Sequence, residues 1–245
     1  MRSQEREDLT PGIIFEDDEI VVVDKPAGWI VNDAATAKGQ PTIQDWLREN
    51  FKFPIFNSLE CRNGIVHRLD KETSGILLVA KNKNTFEYLQ SQFKERGVKK
   101  SYTALLHGKL EKEEGIIEAE VGRLPWNRRR FGVLPGGRYS KTKYKVREIL
   151  AKDKESFSLV DFYPETGRTH QIRIHARHIG HPIVGDEFYA GRKTARNDRK
   201  WCPRLFLHAS EITFTHRDKE ITFQSDLATD LETVLHSLEK YPQAK

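Results

Sequence analysis

The feature that most constrains the fold is a continuous apolar run, Gly75 to Ala80, that directly follows a charged segment. A short apolar run of this kind is typical of a strand that is covered on both faces, because a half-exposed strand would alternate with polar residues. The segment before it reads His67-Arg68-Leu69-Asp70, closely followed by the run. Charged groups at the mouth of a buried strand cost free energy unless they pair or take part in chemistry. The chain therefore needs a sheet interior for the strand and a use for these charges.

Strand patterns dominate the rest of the chain, with a few helical patterns between them. Strands are predicted at Ile13–Phe15 and Ile20–Asp24, around an acidic turn. Further strands are predicted in KKSYTALLHG, GIIEAEVG, KTKYKVREIL, SFSLVDFYP and the hairpin SEITFTHRDKEITFQ, and helices in TIQDWLRENF, TFEYLQSQFKERG (capped by Gly97), THQIRIHARHIG and LATDLETVLHSLEK. Residues 192–200 form the most loop-like interior segment. Many neighbouring strands with few helices favour an α+β fold, with a mixed, largely antiparallel β-sheet core and flanking helices.

The composition is that of a soluble, cytoplasmic protein. The chain has 245 residues, of which 37% are hydrophobic, and its 41 Lys and Arg exceed its 36 Asp and Glu. This length supplies a sizeable core. Two cysteines, Cys61 and Cys202, make no disulfide framework and indicate a reducing compartment. The N-terminus is polar, and no apolar run approaches the ~20 residues that span a bilayer, so no membrane partner is expected.

Positive charge is concentrated between Val121 and Arg147. This window contains nine Lys or Arg and no Asp or Glu, and Trp126, Phe131 and Tyr139 are interleaved with them. Basic side chains neutralise phosphates, and aromatic faces stack on unpaired bases. A second basic segment, GRKTARNDRK, also favours a nucleic-acid partner. The alternative is a solvated loop whose charge serves only solubility.

The charged segment before the apolar run is a candidate site. If Arg68-Leu69-Asp70 is extended, Arg68 and Asp70 project to the same side while Leu69 points into the core. A carboxylate and a guanidinium then share one face, and the polar residues 73–75 can turn the chain into the strand. The alternative is a surface ion pair that caps the strand and adds little stability.

A histidine-rich segment, TGRTHQIRIHARHIGHP, is a second candidate. Its histidines are His170, His175, His178 and His181. We discount a zinc site because no Cys or acidic ligand lies within the segment. On a helix, Arg173 and Arg177 are four residues apart on one face, and the Gly-Arg-Thr at the opening leaves backbone N–H groups for an anion. The pattern favours a helix that faces a phosphate or carboxylate; an ordinary basic amphipathic helix is the alternative.

Neither candidate alone identifies a function, but the order of the motifs does. The chain carries VVVDKPAGW, HRLDKETSG, KKSYTALLHG, ETGRTHQIRIH, GHPIVGDEFY and LFLHASEITFTH in that order. This succession resembles the RluA-type RNA pseudouridine synthases. The resemblance extends roughly from Ile13 to Phe223, and ordered motifs over that length are far more specific than any single one.

The resemblance implies a role for four residues. Asp70 of the HRLD motif would be the catalytic aspartate, and Arg68 would help to displace the target uridine and fill its place in the RNA. Tyr102 would lie against the flipped uracil and help to remove the C5 proton. Arg173 would pair with Asp70. The resemblance also implies a pseudouridine synthase fold, with no cofactor and no metal.

The reaction suits these residue types. Isomerisation of uridine breaks the N1–C1′ bond, turns the base and joins C5 to C1′, with no need for a redox carrier or ATP. A carboxylate can act as a nucleophile, stabilise positive charge at C1′ or move a proton. The first two roles require the ionised form, which a guanidinium beside it favours. Base flipping costs a few kcal/mol, which Arg68 and Tyr102 would partly offset.

Ribosomal RNA and transfer RNA are both possible substrates, and a uridine in a stem-loop is the expected target because unpaired bases flip at low cost. We expect the protein to be a monomer. The family often carries an N-terminal RNA-binding module, and here we expect only a short tail over residues 1–12 before a single catalytic domain over residues 13–240. RNA binding is then assigned to the catalytic domain. The predicted RNA-binding residues are His67, Arg68, Arg123, Arg128, Arg129, Arg130, Arg138, Lys141 and Arg168.

Two other functions remain open at this stage. One is a non-catalytic RNA-binding or ribosome-assembly protein on the same fold, which the combination of Asp70, Tyr102 and Arg173 disfavours. The other is a metal-dependent nuclease that uses the histidine-rich helix, which the lack of acidic ligands near the histidines disfavours.

Overall fold

The computed structural model describes residues 10–32 and 39–241, without the side chains of residues 128 and 129. The chain divides into two compact units: Met1–Val98 with Glu211–Asp226, and Lys99–Ser210 with Leu227–Lys245. Within the described ranges, no helix is long and apolar enough to cross a membrane. The predicted tail over residues 1–12 lies, up to residue 9, outside the described residues.

The described part of the chain contains eleven strands and five α-helices. The strands are β1 (Gly12–Glu16), β2 (Ile20–Lys25), β3 (Ser74–Ala80), β4 (Lys99–His107), β5 (Glu114–Leu124), β6 (Asn127–Val133), β7 (Arg138–Lys152), β8 (Glu155–Pro164), β9 (Leu207–His216), β10 (Lys219–Gln224) and β11 (Glu239–Lys240). The helices are α1 (Ile43–Asn50), α2 (Lys83–Glu95), α3 (Gln171–His178), α4 (Arg192–Asp198) and α5 (Thr229–His236). The predicted α+β class is confirmed.

The first unit is built around β3. This strand pairs antiparallel with β2, from Ile20 opposite Ala80 to Lys25 opposite Gly75, and β2 pairs antiparallel with β1. All seven residues of β3 are buried, which confirms a strand that is covered on both faces. The predicted hairpin is formed by β9 and β10.

Side-chain caps set the beginnings of both helices in the first unit. The Thr42 hydroxyl accepts a hydrogen bond from the Asp45 N–H and begins α1, and the Asn82 side chain does the same for α2. The predicted end of α2 is displaced by one residue. Arg96, not Gly97, takes the left-handed conformation, with φ of 64°, and the Gly97 N–H then donates to the Gln92 carbonyl.

The second unit is an antiparallel sheet in the order β4-β8-β7-β5-β6, with β11 beside β7. One hydrophobic core joins the sheet to α3 and α5, and includes Phe162 of β8, Ile172 of α3 and Leu231 of α5. The strand predicted in KTKYKVREIL is part of β7, and its side chains alternate between buried and exposed. Thr142 and Tyr144 are buried, whereas the lysines on either side of Tyr144 are exposed.

Three segments of the second unit form secondary structure that the sequence did not predict, and one of them, Glu239–Lys240 at the end of the predicted helix LATDLETVLHSLEK, is strand β11 beside β7. The basic run Asn127–Val133 is strand β6, which pairs with β5 in a hairpin. Residues 192–200, predicted as a loop, contain helix α4. The buried Asp198 at the end of α4 accepts hydrogen bonds from the Gly185 N–H and a His107 ring nitrogen. These contacts with distant residues stabilise a polar helix that local sequence does not reveal.

The prediction of a single catalytic domain over residues 13–240 stays a prediction.

A tight backbone contact in the first unit gives a stability prediction. Gly64 has φ of +76°, and a Cβ there would overlap with the Ala80 carbonyl oxygen. Gly180 has φ of +86°, but a Cβ there would meet nothing within 4 Å, so this position isolates the cost of the conformation. We expect Gly180→Ala to lower the free energy of unfolding by about 1 kcal/mol, and Gly64→Ala by about 3 kcal/mol or more. Urea denaturation measures both, and equal losses would contradict the close approach.

Candidate active site

The segment Arg68-Leu69-Asp70 has the alternation that the sequence predicted. Leu69 is buried, Arg68 is exposed and Asp70 is half-buried. The Thr73 N–H donates to the Asp70 carbonyl over 3.1 Å, so a turn begins at Asp70 and leads into β3. The carboxylate therefore stands at the mouth of a fully buried strand, on a backbone that hydrogen bonds define.

A buried lysine fixes this turn, and sequence reasoning did not identify it. Lys25 is 0% exposed, and its Nζ donates to the carbonyls of Pro26, Trp29 and Lys71 over 3.0, 3.0 and 3.2 Å. The Gly28 N–H also donates to the Lys71 carbonyl, over 2.8 Å. Burying an ammonium group is costly unless its protons are satisfied. The only signal was the sequence Asp-Lys-Pro-Ala-Gly at the end of a buried strand.

His67 is half-buried and is held on two sides. Its Nε2 accepts a hydrogen bond from the Leu78 N–H over 2.9 Å, which assigns the ring proton of the neutral form to Nδ1. Its ring stacks on Phe93 with a centroid distance of 5.1 Å and an interplanar angle of 27°. Contact with RNA stays a prediction for His67. The structure shows that His67 connects the HRLD segment to β3 and α2.

In the second unit, Tyr102 lies on β4 opposite Phe162 of β8. It is half-buried and packs against the core cluster that contains Ile172, the neighbour of Arg173 on α3. Lys100 is two residues earlier and so shares the face of Tyr102. Burial lowers the pKa of Lys100 from 10.5 to about 8.

Arg173 forms a buried bidentate ion pair with Asp186. Its Nε and Nη2 lie 2.8 and 2.9 Å from the two carboxylate oxygens of Asp186, and the two residues are 5% and 0% exposed. One of those oxygens also accepts hydrogen bonds from the N–H groups of Phe188 and Tyr189. Asp186 was part of a recognised motif, but no role was predicted for it. The pairing of Arg173 with Asp70 stays a prediction.

Gln171 connects the start of α3 to the sheet. Its Nε2 donates to the Lys141 carbonyl and the Thr142 hydroxyl, over 3.0 and 2.9 Å. Its Oε1 accepts from the Thr166 hydroxyl and the Arg168 N–H, over 2.8 and 3.0 Å. Because every polar atom of this buried amide is used, the helix that carries Arg173 has a defined position on β7.

The histidines of the segment are used separately. His170 contacts the Tyr189 hydroxyl through Nδ1 over 2.9 Å, and His181 contacts the His107 carbonyl over 2.8 Å. The Ser140 hydroxyl donates to the Ala119 carbonyl, so Nε2 of His175 donates to Ser140 over 2.8 Å. Across the described ranges, no group of three or more His, Cys, Asp or Glu residues is arranged to hold a metal ion.

The predicted RNA-binding residues of the second unit differ in their surroundings. Arg123 and Arg138 are exposed, Arg130 is half-buried, and Arg168 donates through Nε to the Tyr139 carbonyl. Lys141 lies 3.8 Å from Glu118 and 3.4 Å from Glu165. The side chains of Arg128 and Arg129 lie outside the described residues.

The basic window is therefore less positive than its sequence suggests. The antiparallel register places Glu118 of β5 opposite Lys141 and Glu120 opposite Tyr139. The Tyr139 hydroxyl donates to Glu118 over 2.7 Å. Hydrogen bonds from Lys143 and then Lys141 lower the pKa of Glu165, against the effect of burial. Acidic residues outside the window thus neutralise part of it.

Comparisons with known proteins identify the class of this enzyme. A model of the RNA pseudouridylate synthase family matches residues 19–178. The chain is 36% identical to ribosomal large subunit pseudouridine synthase D of Nitrosomonas europaea, over 99% of this chain and 70% of that protein. It is 37% identical to ribosomal large subunit pseudouridine synthase C of Vibrio parahaemolyticus, over 93% of this chain and 69% of that protein.

A solved structure agrees with this assignment. Human RNA Pseudouridylate Synthase Domain Containing 1 matches with a TM-score of 0.75 and 28% identity, over 96% of this chain and 91% of that chain. The chain belongs to the RNA pseudouridylate synthase family, and has its α+β fold. It is a pseudouridine synthase, an isomerase that acts on RNA. The resemblance predicted from the ordered motifs is confirmed.

The buried ion pair of α3 gives a stability prediction. Asp186→Asn removes one charge of a fully buried pair and leaves the Arg173 guanidinium without its counter-ion there. We expect the free energy of unfolding to fall by about 3 to 5 kcal/mol in urea denaturation. Lys83 and Glu87 form the control, because this ion pair on α2 spans 3.8 Å and its two side chains are 62% and 63% exposed. Glu87→Gln should lower the free energy of unfolding by about 1 kcal/mol or less, and a loss as large as that of Asp186→Asn would contradict the role of burial.

His175 gives a prediction about acid stability. Its Nδ1 is buried with no hydrogen-bond partner among the described residues, and burial, with a smaller effect of His178, lowers the pKa of His175 from 6.5 to about 4. The unfolded chain then binds more protons between these values, so stability falls as the pH drops from 6.5 towards 4. His175→Gln should reduce the loss of unfolding free energy between pH 7 and pH 5 by about 2 kcal/mol, measured by urea denaturation at both values. An unchanged pH dependence would show that His175 is not the group responsible.

Proposed function

We propose that this pseudouridine synthase modifies uridine in the RNA of the large ribosomal subunit, with Asp70 as the catalytic carboxylate. The RNA class is supported by the relatives named as ribosomal large subunit pseudouridine synthases, which match almost the full length of the chain. Transfer RNA is the other expected class, and the experiment distinguishes the two by offering both RNAs as substrates. A cytoplasmic location and a monomeric state stay predictions.

The observation that supports the role of Asp70 is the defined backbone of the turn that carries it. The carboxylate is half-buried at the opening of β3, on a turn held by Lys25 and Gly28. Catalysis by a carboxylate requires the group to be held against the reacting carbon before the reaction begins. A solvated ion pair that only caps the strand would not need a fully buried lysine beneath it.

We assign the remaining steps to the residues named by the motifs. The N1–C1′ bond breaks beside Asp70, the uracil turns, and a bond from C5 to C1′ forms. The C5 proton leaves and N1 gains a proton, so atoms and charge balance. Tyr102 contacts the uracil and takes part in removing the C5 proton. Arg68, which is exposed beside Asp70, takes the place of the uridine that leaves the RNA stack.

We assign to Arg173 the positive charge that pairs with the Asp70 carboxylate. Its guanidinium is anchored by Asp186, which satisfies Nε and Nη2. A guanidinium beside a carboxylate favours the ionised form that nucleophilic attack or charge stabilisation requires. The anchoring by Asp186 supports this role, because a side chain that is fixed on one edge can hold a second carboxylate without reorganising.

The test compares the wild type with Asp70→Asn on two substrates, a large-subunit ribosomal RNA transcript and unmodified transfer RNA. Pseudouridine is mapped at single-nucleotide resolution after incubation. We expect one or a few modified uridines in the ribosomal RNA with the wild type. With Asp70→Asn we expect a rate lower by about four orders of magnitude, because a group of the reaction itself is removed.

Asp226→Asn is the control, since Asp226 is an exposed carboxylate of the same unit. It should keep full activity, and all three proteins should bind the RNA with affinities within about twofold. Activity retained in Asp70→Asn would remove Asp70 from its role. Modification of transfer RNA alone would replace the proposed RNA class.

A further inference from the structure

An aromatic cluster on the second unit has no part in the function argued so far. It consists of Phe131 on β6, His170 before α3, and Phe188 after it. The ring centroid of His170 lies 6.1 Å from that of Phe131 and 6.1 Å from that of Phe188. We call these three residues the aromatic cluster.

Two guanidinium groups adjoin the ends of the aromatic cluster. The Cζ of Arg123 lies over the Phe131 ring at 5.1 Å, and that of Arg130 lies over the Phe188 ring at 5.8 Å. Arg123 is exposed and Arg130 is half-buried. The cluster therefore combines ring faces with fixed positive charge, which is the composition of single-stranded nucleic-acid sites.

Core packing does not account for the exposed end of the cluster. Phe188 is 43% exposed, although a ring of this size stabilises a fold most when it is buried. Phe131 and His170 are half-buried. Phe131 packs on a small cluster with Val121 and Ile174. Phe188 instead lies outside this small core cluster, and its ring is next to arginine side chains.

The aromatic cluster contacts Arg173 through Phe188. The Cζ of Arg173 lies 5.4 Å from the Phe188 ring centroid. Phe188 is also tied to the ion pair, because its N–H donates to Asp186 over 2.9 Å. If Arg173 lies beside the reacting uridine, as the proposed function states, then the exposed ring of Phe188 is within reach of the next nucleotide in the chain.

We propose that the aromatic cluster, with Arg123 and Arg130, is a stacking site for the unpaired base adjacent to the target uridine. The inference rests on the proposed function, since Arg173 marks the position of the uridine. The base takes the place of the Arg130 guanidinium over the Phe188 ring, and the guanidinium groups of Arg123 and Arg130 contact the neighbouring phosphates. Stacking accepts any base, because every base has a π-face, so this site recognises an unpaired nucleotide rather than a sequence.

The first experiment removes the ring. Phe188→Ala should weaken binding of the stem-loop that carries the mapped uridine by about 5- to 150-fold, the range expected for loss of one stacked base. Phe188→Trp retains a stacking face and should bind within about threefold of the wild type. Tyr88→Ala is the matched control, because Tyr88 is also 43% exposed but lies on α2 of the first unit. Fluorescence anisotropy gives the Kd values, and thermal unfolding verifies that each variant is folded.

The second experiment replaces each nucleotide beside the target uridine, in turn, by an abasic site. At one position the abasic RNA should already bind the wild type weakly, and Phe188→Ala should then cause no further loss. A merely structural role for Phe188 would weaken every RNA equally, and that result would overturn the stacking site.

The two proposals fail in different ways. If the wild type forms pseudouridine in the stem-loop and no abasic position is coupled to Phe188, only the stacking site is refuted. If the wild type forms no pseudouridine in ribosomal or transfer RNA, the proposed function is refuted, and the stacking site is refuted with it.

Discussion

The buried ammonium group of Lys25 is the interaction on which the position of the Asp70 turn depends. It satisfies three carbonyl oxygens at once and connects the end of β2 to the turn after Asp70. A buried cation tolerates few alternative arrangements, because every donor that loses its acceptor costs free energy. The same rigidity continues through β3, whose residues are all buried, and through the stacked ring of His67. The Asp70 backbone is thereby defined before any RNA is bound.

In the second unit, a buried carboxylate positions an arginine, whereas in the first unit backbone carbonyls surround a buried lysine. Arg173 is held by the carboxylate of Asp186, which in turn accepts two backbone N–H groups. Gln171 fixes the beginning of the helix, so the guanidinium is positioned from both directions. A charged side chain that is preorganised in this way needs little reorganisation when charge develops in a reaction, which is the main source of electrostatic catalysis. The proposed roles of Asp70 and Arg173 thus each depend on a supporting charged group that is itself buried, Lys25 or Asp186.

Local sequence predicted most of the fold, because its signals were strong: the apolar run of β3, the alternation along β7 and the hairpin of β9 and β10. It failed where stability comes from distant contacts. Helix α4 depends on Asp198 meeting residues elsewhere in the chain, and the charge of the basic window depends on Glu118 across the sheet. In the candidate site, the ordered motifs supplied Asp70, Tyr102 and Arg173. Lys25 and Asp186 were missed because only three-dimensional contacts distinguish a supporting charge from a surface one.

In the proposed reaction, a preorganised Asp70 carboxylate meets the ribose of a uridine that has left the RNA stack. A crystal structure of the chain bound to its stem-loop RNA measures this directly, as the distance from the Asp70 carboxylate oxygen to C1′ of the target uridine. We expect a distance of about 3 to 3.5 Å, with the Lys25 contacts unchanged from the free protein. A uridine still stacked in the RNA, with its C1′ far from that carboxylate, would contradict it.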